Sequence, residues 1–451
     1  MIFRICISAL LSALCCALAS CSPGNPVPPA PSTFTVLKSG SSIGITAPAG
    51  SADAFTAVTI TSGGTGNGTA AGDGSVAFNG TATGGSVTLS YSKSGQALTT
   101  DSTVQALETR VTAPLFSTGS APNDMELADS ALFVANALDN TTVRYGLDGV
   151  VQDTLQFDEF AGPAFLTVAG DTLYVVTNGS NELRAVQASD FDTAVISNAL
   201  FDTTGQAFLA PGKPALVNDS IFIPRSAITG FGPPTTYGDN ILEIRNLEAD
   251  NEVLNTLHAV EARNGAYVAY SAARGEVYLS SGGEQQFDED FHPFVTTNSH
   301  LTIMQADGTP VTTLDLGKIG ATTIALSRTG DIAYLGNLLT GDIYKVDLSS
   351  RTILRGESNP IHLTDAFTYV SDLEFVPNSD LLLATSFNTD ELYVIDTVTD
   401  MVSPAPYPGP FQVSPDPELL AGAICVEADA TGHAYVLLSI ANSVAKVDLL
   451  P

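Results

Sequence analysis

The sequence predicts an all-β protein, a seven-bladed β-propeller preceded by a small immunoglobulin-like β module. Three observations carry that expectation. A unit of turn, apolar strand, polar loop and second strand recurs seven times between about residue 106 and residue 451, and self-similarity at a period of roughly 50 residues marks a repeat architecture. No stretch of that region keeps the 3.6-residue apolar period of a helix. Ahead of it, residues 34–105 alternate apolar and polar side chains in short runs between glycine turns, the pattern of half-buried strands.

From the N-terminus, residues 1–20 hold one basic residue, Arg4, then an apolar run through Ile5, Ile7, Ala9, Leu10, Leu11 and Leu14 that ends in small residues. The run is shorter than the ~20 residues of a membrane-spanning helix, so it is expected to be a cleaved export signal. Leu18-Ala19-Ser20-Cys21 resembles the bacterial lipobox. The resemblance implies acylation of the Cys21 thiol, and several acyl chains at ~0.8 kcal/mol per buried methylene make a lasting anchor. Ser22 stands where an aspartate would favour retention at the inner membrane, so the resemblance implies outer-membrane sorting, facing either the periplasm or the cell surface. Residues 21–33 carry prolines at 23, 26, 28, 29 and 31, which suits an extended, solvated tether.

Residues 34–105 contain the strand-like runs AFTAVTITSG, SVAFNG and SVTLSYSKSG. A segment of about 70 residues with this pattern suits a small immunoglobulin-like sandwich, and it resembles the stalk modules of bacterial surface proteins. Two strings here only look catalytic. GSSIG at 40–44 has the spacing of a nucleophile elbow, but no helix follows Ser42 and no histidine partners it. GNGTAA at 66–71 has the spacing of a dinucleotide fingerprint without the βαβ unit that gives such glycines a use.

Residues 106–451 repeat. AGDTLYVVTNGSNELRAV from Ala169, TGDIAYLGNLLTGDIYKV from Thr329, NSDLLLATSFNTDELYVI from Asn378 and TGHAYVLLSIANSVAKV from Thr431 share one plan. In each, an apolar anchor of the first strand lies nine residues before one of the second: Tyr174 to Leu183, Tyr334 to Ile343, Leu383 to Leu392, Tyr435 to Val444. A fifth copy from Asp129 has a spacing of ten, Phe133 to Val143, and copies at Asp219 and Gly275 are interrupted by insertions. Each copy is preceded by a further short strand: MELA, FLTV, PALV, YVAY, TIAL, LEFV and ICVE. Seven sheets of three or four strands make a propeller. The last copy, ending SVAKVDLLP, stops after its third strand, and TRVTAPLFS at 109–117 is spare. That segment is expected to cover the open edge and close the ring.

Over about 340 residues the copies resemble the surface and periplasmic propellers grouped as YVTN-like and NHL-like repeats, with the string itself present as YVVTN, Tyr174 to Asn178. Tryptophan is absent, which disfavours tryptophan-aspartate repeats and quinone-cofactor propellers.

Lysine and arginine total 17 against 48 acidic residues. Such a surface repels phosphate backbones and anionic lipid, so nucleic-acid binding and charge-driven membrane binding are disfavoured. Cationic or neutral partners and divalent metals are the classes this charge leaves open, although an acidic excess with few lysines is also what a secreted protein from a salty medium shows. Of five cysteines only Cys425 lies beyond Cys21, so no disulfide within the mature chain supports the fold. Cys425, in AICVE without basic neighbours in sequence, reads as a small core residue.

The two insertions, 225–240 and 282–299, fall in the loops between second and third strands of blades 3 and 4. They are expected to meet on the face that also carries the connections between blades, where recognition resides. The first offers Arg225, Tyr237 and Asp239 as ligand-binding residues, and the second Glu284, Phe291 and His292. Asp288, Glu289 and Asp290 are oxygen donors suited to a hard cation such as calcium. Asp124, Glu126, Asp372 and Glu374 fall on inner strands near the central channel. Related propellers with lactonase or lyase activity hold a calcium ion or a catalytic acid there, but the resemblance does not reach these residues one by one. The expected function is a lipid-anchored extracytoplasmic binding or scaffold protein for a protein or small-molecule partner. The alternative is a calcium-dependent hydrolase or lyase of the lactonase kind.

Overall fold

The computed structural model describes residues 34–39, 42–46, 58–70, 75–93, 96–191, 194–199, 208–230, 234–247, 253–259, 262–288, 293–404 and 406–449. The expected signal, Cys21 and the tether lie outside them. The chain divides into two compact units, residues 1–105 and 106–451.

The first unit is all β. Its strands Thr35–Ser39, Ser42–Thr46, Val58–Ser62, Gly64–Ala70, Ser75–Ala82, Ser86–Lys93 and Gln96–Ala106 pair along one closed path in the order first, second, fifth, fourth, third, sixth, seventh. Val36, Ile43, Ile45, Val58, Ile60, Val87, Leu89 and Tyr91 fill its interior. Ser42 opens a strand and Gly66 lies within one, so neither string that looked catalytic has the helix its chemistry requires.

The second unit is a seven-bladed propeller. The blades, inner strand first, are Pro122–Ala128, Ala131–Asn136, Thr141–Gly146 and Val151–Gln156 in blade 1, and Pro163–Ala169, Thr172–Thr177, Glu182–Gln187 and Ala194–Ala199 in blade 2. Blade 3 has Ala215–Val217, Ser220–Gly230, Asn240–Asn246 and Val253–Ala259, with Phe208–Pro211 also on its second strand. Blade 4 has Gly265–Ser271, Glu276–Ser281, Ser299–Gln305 and Pro310–Gly317, and blade 5 has Ala321–Leu326, Ile332–Asn337, Asp342–Asp347 and Thr352–Arg355. Blade 6 has Val370–Phe375, Leu381–Ser386, Glu391–Asp396 and Met401–Val402. In blade 7, Ala423–Ala428, His433–Leu438 and Ser443–Asp448 are completed by Val111–Ser117 from the other end of the unit. The spare segment therefore closes the ring. Phe116 pairs with Val444 and stacks on Tyr145 of blade 1 at 4.4 Å, and Arg110 donates to the Asp448 carbonyl at 3.0 Å.

The anchors mark a common register. Phe133 faces Arg144, Tyr174 faces Ala185, Tyr334 faces Lys345, Leu383 faces Val394 and Tyr435 faces Lys446. Each pair is eleven residues apart, so anchors nine apart are diagonal neighbours, and the copy from Asp129 keeps the same register as the rest. Apolar side chains of adjacent blades interlock between the sheets, as with Tyr278, Leu301 and Ile303 of blade 4 against Ala333, Leu335 and Tyr344 of blade 5. Burial of these apolar faces, with no disulfide available, is the main stabilising term.

One residue type recurs just before the third strand. Asn140, Asn181, Asp390 and Asn442 all take left-handed backbone, with φ between 48° and 56°, a conformation that Asn and Asp tolerate better than other side chains. In three of them the side chain then accepts from the backbone of a blade connection: Gly162 N at 3.1 Å on Asn140, Ala421 N at 2.7 Å on Asp390, and Ala121 N at 2.9 Å on Asn442. These bonds tie the loops and connections together, so both lie on one face of the disc.

Candidate functional site

The two insertions meet on that loop face. The second strand of blade 3 continues to Gly230, and Thr236–Tyr237 folds back to pair with it, Tyr237 opposite Ile228. The blade 4 insertion is a hairpin of Gln285–Phe287 with Pro293–Val295. Gln286 joins them by accepting from Thr235 N at 2.8 Å and donating to the Thr235 carbonyl. The Tyr237 hydroxyl donates to the Gln285 carbonyl at 3.4 Å.

The residues expected to bind a ligand there separate. Arg225 is a correction: its side chain is 0% exposed and pairs with Glu243 at 3.2 Å, while Glu243 also accepts from Arg245 at 2.6 Å. Arg225 further donates to the Leu209 carbonyl at 2.7 Å and to Asn181. A guanidinium so enclosed braces the base of the insertion and cannot reach a ligand. Tyr237 and Asp239 are half-buried. Glu284 is half-buried beside Arg263 at 3.6 Å and accepts from Thr296 at 3.1 Å. Asp288 is exposed at the hairpin end. Glu289, Asp290, Phe291 and His292 lie outside the described residues. Among the described residues no three His, Cys, Asp or Glu side chains come close enough to hold a metal ion.

The channel is the second place where chemistry gathers. The residues opposite the anchors, with Phe222 and Tyr278 taking the anchor's place in blades 3 and 4, form one ring, blades 1 to 7 in order: Glu126, Thr167, Ala215, Ala269, Ala325, Glu374 and Glu427. Three glutamates thus arrive from the consecutive blades 6, 7 and 1, with small residues across from them. Two residues earlier in each blade a second ring holds Asp124, Phe165, Lys213, Tyr267, Thr323, Asp372 and Cys425. Asp124, Glu126, Lys213, Tyr267, Asp372, Glu374 and Glu427 line a cavity of about 210 Å³.

Backbone bonds hold the aspartates in place. Asp124 accepts from Leu166 N of blade 2 at 2.7 Å, and Asp372 from Val426 N of blade 7 at 3.0 Å. The Lys213 ammonium lies 2.6 Å from Asp124 and 3.3 Å from Glu126. Burial disfavours that ammonium, but the two carboxylates outweigh it and raise its pKa well above the usual value. Burial, with Asp372 and Glu126 nearby, pushes Glu374 up to about 8. Burial, opposed by the Val426 N–H, pushes Asp372 up to about 6. Glu126 and Glu427 are raised as well, burial first and neighbouring carboxylates after. Burial and the charges of Asp372 and Asp124 keep Cys425 a neutral thiol, which donates weakly to the Met125 carbonyl at 3.4 Å. The site thus holds carboxyls that exchange protons near neutrality around one fixed cation.

Sequence reasoning placed four of these carboxylates near the channel and missed Lys213, Tyr267 and Glu427. The signal was available. Lys213 stands immediately before PALV, as Asp124 stands before MELA and Asp372 before LEFV, and Glu427 closes ICVE, the tetrapeptide of the last inner strand.

No family model and no curated protein matches the chain. Solved structures do. A chain of a structure titled "Crystal Structure of Mitotic Checkpoint Complex" aligns at 12% identity and a TM-score of 0.54, covering 76% of this chain and 91% of that one. A streptogramin B lyase aligns at 10% identity and a TM-score of 0.54, over 74% and 95%. A virginiamycin B lyase from Staphylococcus aureus aligns at 10% identity and a TM-score of 0.53, over 73% and 96%. At such identities the likeness is one of fold: the chain carries a seven-bladed β-propeller.

Proposed function

We propose that this chain is a lipid-anchored binding protein of the extracytoplasmic side of a bacterial envelope, sorted to the outer membrane, and that the loop face of its propeller takes up a protein partner. The observation that carries the reading is the apolar exposure of that face. Leu138 and Phe160 are 74% and 78% exposed, and Phe367, Leu419, Leu420 and Ile440 are exposed on other loops and connections of the same face. Eight of the fourteen large apolar side chains exposed among the described residues lie on this face, including all four phenylalanines, and a grouping of that kind favours docking over plain solvation. The joined insertions of blades 3 and 4 add a shaped edge to it, on which Phe287 and Phe294 are also exposed. The test is site-specific photo-crosslinking in cells, with the probe at Phe160 or Phe287 on the loop side and at Val398 in an outer turn. A discrete crosslinked product from the first two positions and none from the third is expected; equal yields from all three would sink the reading. The anchor is checked separately by fatty-acid labelling, which a Cys21→Ala substitution should abolish.

A second reading, a hydrolase or lyase, is favoured by the channel carboxyls that titrate near 6 and 8, since proton transfer works best with groups poised near working pH. Two of the fold neighbours are titled lyases. Turnover of cyclic esters, with and without added calcium, that disappears in Glu374→Gln would establish it.

A further inference from the structure

The channel contains the same Asp-x-Glu pair twice, Asp124 with Glu126 on blade 1 and Asp372 with Glu374 on blade 6, at the same two ring positions. On blade 1 the pair holds a primary ammonium, that of Lys213, at 2.6 Å and 3.3 Å. Lys213 stands two blades on from that pair. The position two blades on from blade 6 is Asp124, a further carboxylate, so the chain provides no lysine for the second pair. Glu427 of the intervening blade adds another carboxyl beside it. Among the described residues the carboxyls of Glu374 and Glu427 make no hydrogen bond or ion pair, although both face the cavity of about 210 Å³. The cavity lining sets five carboxyls against one lysine. No three His, Cys, Asp or Glu side chains among the described residues approach closely enough to share a metal ion. That spacing suits a larger cation that spreads its charge through N–H donors, as an ammonium does with its three.

We propose that the blade 6 side of the channel binds a small aliphatic ammonium, a short primary amine or diamine, with its –NH3+ group seated on Asp372 and Glu374 as Lys213 is seated on Asp124 and Glu126. This site is separate from the loop-face reading, and either can fail without the other. Surface carboxylates are numerous, so the test must distinguish the cavity from general attraction. The mature chain is titrated with 1,4-diaminobutane by calorimetry and thermal melting at about 0.15 M salt, which screens exposed charge. Saturable binding of one equivalent is expected, with Tm raised by roughly 2–4 °C at ligand well above Kd. Tetramethylammonium, equally cationic per nitrogen but without N–H donors, should give no shift. Asp372→Asn with Glu374→Gln should weaken binding at least tenfold, and Asp307→Asn, at an exposed turn, should leave it unchanged. Lys213→Ala gives a second readout: ethylammonium should raise the Tm of that variant more than that of the parent. Absence of binding, equal binding by the double variant, an equal shift with tetramethylammonium, or stoichiometric displacement of the diamine by calcium would each overturn the proposal.

Discussion

Glu243 neutralises two buried guanidiniums, those of Arg225 and Arg245, and what it does there is visible only in three dimensions. Truncating one partner of a buried ion pair leaves uncompensated charge, so Glu243→Ala should cost about 3–5 kcal/mol, read as a lower midpoint in denaturant. A loss below about 1 kcal/mol, the range of an exposed pair, would show that the cluster is wetter than its burial implies. In sequence Arg225 looked like the first residue of a glycine- and proline-rich loop, because residues 225–230 that prolong the strand resemble the loop that follows. The channel carboxyls give a pH dependence whose sign is fixed. Asp372 near 6 and Glu374 near 8 lie above the ~3.9 and ~4.3 of free side chains, so the folded chain keeps protons that the unfolded chain has released. Their stabilising contribution is complete below about pH 4 and is lost as pH rises through 6 and then 8. Glu126 and Glu427 act in the same direction. Asp124 completes the facing carboxyls, Lys213 stays charged, and Tyr267 and Cys425 stay neutral through that window. At constant ionic strength the Tm should fall by several degrees between pH 5.5 and 9, and Glu374→Gln should flatten the fall. A rise over that range would contradict the arrangement.

The element that decides closure is Val111–Ser117. It supplies the outer strand of blade 7 and sets Phe116 on Tyr145 of blade 1. Deleting residues 106–117 would expose the edge of Ser443–Asp448 and remove that contact between the ends of the ring. The propeller melt should then move down by ten degrees or more and broaden, because adjoining blades lose cooperativity before distant ones; an unchanged, sharp melt would mean that the ring does not depend on the clasp. This strand was legible in the sequence, since a count of three strands in the last copy and one spare segment ahead of the first left a single place for it. The inner strands were legible for the same reason: all seven quoted tetrapeptides fall on or beside them, blade 3 having only Ala215–Val217 regular. Pairing order in the N-terminal unit was not. Glycine turns mark where strands stop, whereas the closed path from first to seventh strand depends on contacts between distant residues. An Asn or Asp stands ahead of the third strand in six copies, but the left-handed backbone that four of them take, and the connection that the side chain reaches in three, needed φ angles and partners to be seen. The two insertions were expected to meet, and Gln286 with Thr235 is where they do.

At the scale of the whole molecule, 48 acidic residues against 17 basic ones give a formal charge of −31, and compactness brings those charges closer than they lie in the unfolded chain. Self-repulsion of this kind destabilises the folded state and is relieved by screening. The Debye length is about 30 Å at 0.01 M salt and 10 Å at 0.1 M, so most of the relief falls within that first decade. The expected result is a Tm that climbs steeply from 0.01 to about 0.2 M sodium chloride and then levels. Salt would also weaken ion pairs, but the most buried of those among the described residues, around Glu243, are poorly reached by counterions. Two other outcomes carry distinct meanings. A Tm that keeps rising linearly to molar concentration, and more with sulfate than with chloride, would assign the effect to strengthened apolar burial between the blades. A flat or falling Tm from the lowest salt would mean that the acidic residues are spaced widely enough around the disc for solvent alone to separate them, and the charge would then bear on solubility and partner choice without limiting stability.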